Sequence, residues 1–266
     1  MTLAIALTNP EGIVIAAESR QTYTIAGHPR VGSDSVRKVF ELNPRIIAAT
    51  SGWGLLRPEG SPAARHIASL VDDFKSNLAG ETTVQAAAQA LHDHFQALFD
   101  WHIANSPNDQ APAGGAAALM FFVAGYDEGS RVGQLYQVNV PGTVVFAGDT
   151  NNPGTRWIGQ WDVVGRIING YDTRLKTLAF YTANAVAIEP QLNGLGYVVQ
   201  WGIMTLQDAI DFARSMVEVT ITVQRFTHGI LSAPGDFPGV GGPIDVAIVR
   251  PGESEVLWVA QKKLHI

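Results

Sequence analysis

The sequence predicts an α+β protein in four layers, two mainly antiparallel sheets packed face to face between two layers of helices, as one domain over residues 1–266. Three observations carry that prediction. Strand-like and helix-like stretches come in blocks: strands, two helices, strands, two helices, strands. The earliest strands are apolar on both faces, as strands are when a sheet is covered on both sides. No linker, repeat or shift in composition divides the 266 residues, and stacking two sheets between helices covers every apolar face.

The elements follow in order. Residues 3–8 and 12–18 are short runs rich in Ile, Val and Leu around Asn9-Pro10-Glu11-Gly12, the pattern of a β-hairpin. Residues 21–32 are polar, contain Gly27 and Pro29, and read as a loop. Strands are expected at 36–42 and 46–50, joined at Asn43-Pro44. Ile67, Leu70, Val71, Phe74 and Leu78 have helical spacing behind Ser61-Pro62, which suits a cap and a first turn. Thr82-Thr83-Val84-Gln85 has the form of a capping box, and Val84, Ala87, Ala88, Leu91, Phe95, Leu98, Phe99 and Ile103 then lay down one apolar face.

Strands resume at 116–126, 133–140 and 143–148. Residues 161–171 look helical, and 175–187 fit neither period cleanly. Thr205-Leu206-Gln207-Asp208 is a second capping-box form, opening an amphipathic helix to about 226. Two strands, 243–250 and 256–262, close the chain around Pro251-Gly252-Glu253.

Composition narrows the function. A content of 46% hydrophobic and 16% charged residues belongs to a folded globule. A net charge of −6 without any Lys/Arg block argues against a nucleic-acid or anionic-membrane surface. The absence of cysteine removes disulfides, thiolate metal sites and cysteine nucleophiles. His92 and His94 sit two apart on an expected helix and so point to different faces, which argues against a metal site. The longest apolar runs, such as 116–124, are far short of a membrane span. With no basic-then-apolar leader at the start, the expected location is cytoplasmic, and no cofactor is expected.

The chemistry concentrates in residues 2–54. A threonine hydroxyl needs a base, and a threonine at the head of the chain has one in its own α-amine, whose ordinary pKa of about 7.7–8.0 lies near working pH. A nearby lysine ammonium lowers that amine further. The lysine in turn needs a carboxylate if it is buried, and acyl transfer needs a backbone N–H aimed at the developing oxyanion. Thr2, Lys38, Glu18 and Gly52 are of the right types for these four tasks. Taken singly, each has an ordinary structural explanation.

Together, Thr2, Ala16-Ala17-Glu18-Ser19-Arg20, Arg37-Lys38 and Ser51-Gly52-Trp53-Gly54 resemble the proteasome β-subunit family and its simpler bacterial relatives, which are N-terminal-nucleophile hydrolases. The resemblance is good over residues 2–54 and looser beyond, where Gly241-Gly242-Pro243-Ile244-Asp245-Val246 is similar to the family's late glycine-rich strand entry. It implies the proteasome-like four-layer fold and a threonine-type peptidase with Thr2 as nucleophile after Met1 is removed. Lys38 would tune the amine, Glu18 would partner the lysine, and Gly52 would supply the oxyanion N–H. Gln21, Thr22 and Thr50 would border the cleft for an extended peptide. It also implies a homo-oligomer, a ring or related assembly, acting on peptide or unfolded protein, with an unfolding ATPase as a candidate partner.

The sequence departs from the family pattern in three places. Glu18 replaces the usual Asp. The supporting serines are unmatched: Gly159-Gln160-Trp161-Asp162 has none and Val240 precedes Gly241-Gly242, so Asp162 or Asp236 is left to substitute. Residues 55–61 and 227–238 look like insertions. Those departures keep two rivals open, a catalytically silent assembly protein of the same fold and a small-molecule amidase.

Overall fold

Ten strands build two five-stranded antiparallel sheets in this computed structural model, which describes residues 2–25, 27–78, 82–230, 233–234 and 237–262. In chain order they are β1 (Leu3–Asn9), β2 (Gly12–Glu18), β3 (Val39–Asn43), β4 (Ile46–Gly52), β5 (Leu119–Tyr126), β6 (Gly133–Val140), β7 (Val144–Asp149), β8 (Gly154–Gly159), β9 (Ile244–Val249) and β10 (Leu257–Ala260). One sheet runs β8-β1-β2-β9-β10, the other β7-β6-β5-β4-β3. The long helices are α1 (Ile67–Asn77), α2 (Val84–Asn105), α3 (Asp162–Asn169), α4 (Ala179–Asn193) and α5 (Leu206–Phe226).

Three cores separate four layers. Ala4, Ala6, Ile15 and Ala17 from one sheet meet Val39, Ile47, Ala49 and Phe122 from the other. On the outer face of the second sheet, Phe40, Ile46 and Phe121 pack under Leu70, Leu91 and Phe95 of α1 and α2. On the outer face of the first, Leu3, Ile5, Val14 and Ile248 pack under Val164, Ala209, Ala213 and Val217 of α3 and α5. Alternation along each strand divides its side chains between these cores. The inner face of β1 and β2 carries Ala4, Ala6 and Ala17 beside Ile13 and Ile15.

The expected layering is observed, with local corrections. Residues 21–32 form an exposed hairpin, Gln21–Ile25 with His28–Ser33, turning at Gly27 with φ +79. It buries no apolar face, so no hydrophobic period marks it. The edge strand β8 was not foreseen because its run Gly-Thr-Arg-Trp-Ile-Gly offers only two apolar residues. Ser61-Pro62 do not open α1. A short ladder, Leu55–Leu56 with Arg65–His66, intervenes and the helix starts at Ile67. The expected box at Thr82 is replaced by a single cap: Thr83 accepts from the Ala86 amide at 3.1 Å, and alanine has no side chain to answer. The Thr205–Asp208 box is complete in both directions. The ambiguous 175–187 stretch is a 3₁₀ turn at Thr173–Thr177 followed by α4. No described helix is long and apolar enough to cross a membrane.

Candidate active site

Strand alternation brings Thr2 to the gap between the sheets. Leu3, Ile5 and Leu7 face the helices, whereas Ala4 and Ala6 face the opposite sheet, and Thr2 continues the second set. Leu3 pairs with Gly159 across the ladder, so Thr2 stands opposite Gln160, whose amide donates to the Thr2 carbonyl at 2.7 Å. Gln160 shares the face of Ile158, also an inter-sheet residue, and the two side chains are therefore cross-strand neighbours. The join is tight. Gly159 has φ +89, and a Cβ there would lie 1.9 Å from the Thr2 carbonyl oxygen and 2.3 Å from Ser51 Oγ. Only glycine permits that approach.

Lys38, at the entrance to β3, lies under this corner. Its Nζ donates to Thr2 Oγ1 at 2.7 Å, to Glu18 Oε1 at 2.5 Å, and to the Arg20 carbonyl. An ammonium has three N–H bonds, and these acceptors use all three. Thr2 and Lys38 are 4% and 5% exposed and Glu18 is fully buried. The second Glu18 oxygen accepts from the amides of Arg20 at 2.6 Å and Gly241 at 3.1 Å. By alternation Glu18 follows Val14 and Ala16 toward the helices, but as the last residue of β2 its carboxylate is free to reach this ring of donors. Burial pushes the Lys38 ammonium below its ordinary value, against the Glu18 carboxylate that favours its charge. Burial likewise pushes Glu18 up, opposed by Lys38 and the two amides. Outside this ring, Arg20 braces Asp34 with bonds of 2.7 and 2.9 Å.

Two spaces open from Thr2. The larger, about 440 Å³, is bordered by Thr2, Ser51, Gly52, Gln160, Asp162 and Arg166 among others, within the size range of small-ligand clefts. The smaller, about 30 Å³, has Thr2, Lys38, Gln21, Thr22, Thr50 and Gly52 in its wall. Gly52 belongs to both. Its φ is +106, and a Cβ would meet the Ala118 carbonyl oxygen at 2.1 Å, so this turn too requires glycine.

All seven residues singled out from sequence thus lie around one point. Lys38 bonds both Thr2 and Glu18, Gly52 flanks them, and Gln21, Thr22 and Thr50 border the smaller space. Asp162 borders the larger cleft. Asp236 and Met1 lie outside the described residues, as do residues 231–232 and 235 of the 227–238 segment that reads as an insertion. Ser51, whose hydroxyl lies 3.4 Å from the Thr2 carbonyl, Gly159, Gln160 and Arg166 went unassigned. Only the strand pairing of β8 with β1 could have drawn Gly159 and Gln160 to Thr2. Among the described residues no cluster of three or more His, Asp or Glu side chains could hold a metal.

Comparison with known proteins points the same way at the level of fold. No family model matches the sequence, and a search of curated proteins finds no match. Solved structures do match. One is the Anbu (Gly-1) mutant from Hyphomicrobium sp. strain MC1, with a TM-score of 0.56 at 16% identity, covering 97% of this chain and 85% of that one. The likeness shows the proteasome-like N-terminal-nucleophile hydrolase fold.

Proposed function

On that fold, we propose that the protein is a threonine-type hydrolase that cleaves peptide bonds through an acyl-enzyme on Thr2 once Met1 has been removed. The observation that carries the reading is the buried Lys38 Nζ lying 2.7 Å from Thr2 Oγ1 while anchored on Glu18. A positive charge on the hydroxyl oxygen favours its deprotonation, and the freed α-amine is the base that takes the proton. Thr2 Oγ1 bonds to the substrate carbonyl carbon, and the oxyanion is received at the Gly52 turn. The carbon–nitrogen bond breaks as the amine passes the proton to the departing nitrogen, leaving an ester on Thr2. Water then loses a proton to the same amine and adds to the ester. The carbon–oxygen bond breaks, the acid departs, and Oγ1 regains a proton. The acyl half lies toward Gln21, Thr22 and Thr50, and the departing half toward the larger cleft.

The deciding experiment uses protein shown by intact mass to lack Met1. An electrophilic peptide should label Thr2, and Thr2→Ala should abolish both labelling and peptide hydrolysis. Hydrolysis by Thr2→Ala at the wild-type rate would remove the nucleophile. Labelling by small acyl electrophiles but not peptides would favour the small-molecule amidase.

A soluble assembly of several copies is part of the proposal. It is supported by the apolar side chains that stand in solvent between 178 and 203, among them Phe180, Val186, Tyr197, Val198 and Ile203. The proposed setting is the cytoplasm, with unfolded chains as substrate and an ATPase as the source of unfolding.

A further inference from the structure

Two acceptors beside Thr2 lack donors. Gln160 Oε1 and Asp162 Oδ1 are buried without a hydrogen-bond partner among the described residues, and both residues border the larger cleft with Thr2. An unpaired buried acceptor is costly until a donor reaches it. Lys38 is not that donor, because its three N–H bonds are spent on Thr2, Glu18 and Arg20.

Strand register brings a different donor close. The Gln160 amide donates to the Thr2 carbonyl at 2.7 Å, which makes the two residues a hydrogen-bonded pair at the end of the β1–β8 ladder. In such a pair each residue turns both its N–H and its C=O toward the other strand, so the Thr2 nitrogen faces β8. Asp162 follows Gln160 by two residues and opens α3. While Met1 is attached, the Thr2 nitrogen is an amide with a single N–H. Once Met1 is gone it is an amine with two N–H bonds and a lone pair, or an ammonium with three.

Resting on the reading of Thr2 as nucleophile, we propose that Gln160 and Asp162 are positioning residues that receive the α-amine of Thr2 after Met1 is removed. Two acceptors take the two N–H bonds of the neutral amine, and the lone pair is left to point at Oγ1, whose proton it must collect. The carboxylate also sets the charge around the amine. Arg20, Arg37 and Lys38 border the smaller space, and Asp162, Arg166 and Arg174 the larger. Asp162 is the one carboxylate among these described residues, since Glu18 lies behind Lys38 and is bonded to it. Lys38 lowers the amine's affinity for a proton and Asp162 raises it, which holds the base near working pH.

The test titrates the α-amine itself, by trace acylation of the N-terminus read by mass spectrometry from about pH 5 to pH 10, around its ordinary value. It uses protein shown by intact mass to lack Met1. Asp162→Asn should lower the amine pKa by about 1 pH unit, as when an opposite charge a few ångströms away is lost, and the acid limb of kcat/KM should move down with it. Asp162→Glu should restore most of both. Gln160→Leu should lower kcat by roughly tenfold with KM nearly unchanged, because the lone pair loses its orientation. A merely structural role would move neither the amine titration nor the acid limb. The same titration on Thr2→Ala, which also carries an α-amine once Met1 is gone, needs no turnover. A drop on Asp162→Asn that persists there supports the positioning role even where no peptide is cleaved, and failure of the peptide electrophile to label Thr2 then overturns the peptidase reading alone. An amine pKa unchanged by Asp162→Asn in both backgrounds overturns the proposal. So does a Gln160→Leu effect confined to KM, which would assign these acceptors to the substrate.

Discussion

At the Thr2 corner polar side chains are buried and bonded, whereas along residues 178–203 apolar side chains stand in solvent. Glu18, Lys38, Thr2 and Ser51 are all buried. On α4 only Tyr181 and Leu192 are buried, while Val186 is 93% exposed, and Ile203 beyond it is 81% exposed. Each region inverts the usual sorting of polar groups outward and apolar groups inward. The inversions differ in what they ask of a partner. At the corner, every N–H of Lys38 already has an acceptor within the chain. Along 178–203, the apolar side chains have no partner among the described residues that removes them from water.

The largest effect that separates them is chemical. Thr2→Ala should lower kcat/KM for peptides by about 10⁴-fold or more, a loss of the size seen when a nucleophile is removed, while stability falls by only about 1–3 kcal/mol for the Lys38 N–H left without its acceptor. A variant that loses stability in proportion to activity would make Thr2 a packing residue.

Next in size is the buried pair. Glu18→Ala leaves the Lys38 ammonium without its carboxylate and should destabilise the protein by about 3–5 kcal/mol in denaturant titration. Replacing both residues by apolar ones should cost less than removing Glu18 alone, because no charge is then stranded. If the double variant is the worse one, the pair is net stabilising and the corner was not built at the expense of stability.

Gly159→Ala should cost about 1–3 kcal/mol from its positive φ alone. It should also depress activity further than that loss explains, since the new methyl collides with the Thr2 carbonyl. Wild-type activity in this variant would show that β8 does not position Thr2.

Val186→Glu sharpens the other side of the comparison. Stability of the chain should change by no more than about 0.5 kcal/mol, as for exposed sites, while sedimentation should report a smaller assembly. An unchanged assembly would free this face from the interface.

The smallest effect is acid sensitivity near the corner. Hydrogen bonds from Arg20 hold Asp34 below the usual carboxylate range. Its folded value therefore lies under its unfolded one, so its contribution is complete above the unfolded pKa of about 3.9 and fades as pH falls through the folded value. Asp34 is partly exposed, so the effect should stay below about 1 kcal/mol. Melting curves between pH 6 and 3 should show a smaller acid loss for Asp34→Asn than for wild type.

The layering was legible because it follows from blocks of period 2 and period 3.6, which each stretch carries in its own residues. The seven candidate residues fall together for a related reason. Thr2 and Glu18 sit at the open end of the β1–β2 hairpin, and Lys38, Thr50 and Gly52 at the open end of the β3–β4 hairpin, so one short turn gathers each set and the packing of the two sheets brings the sets together. The hairpin over 21–33 and the edge strand β8 escaped notice, as exposed or half-polar strands bury no face that would print a period.

What the amino-acid order settled by itself was the sequence of layers and the types of group available at the head of the chain. What tertiary structure alone decided was which distant backbone closes on them: the Gly241 amide on Glu18, 223 residues away, and Gly159 and Gln160 on Thr2. The reason is physical. Turn and helix signals arise within a few residues, but the partner of an edge strand is chosen by packing of the finished sheets, and only that packing brings Asp162 and Arg166 to the threonine's cleft.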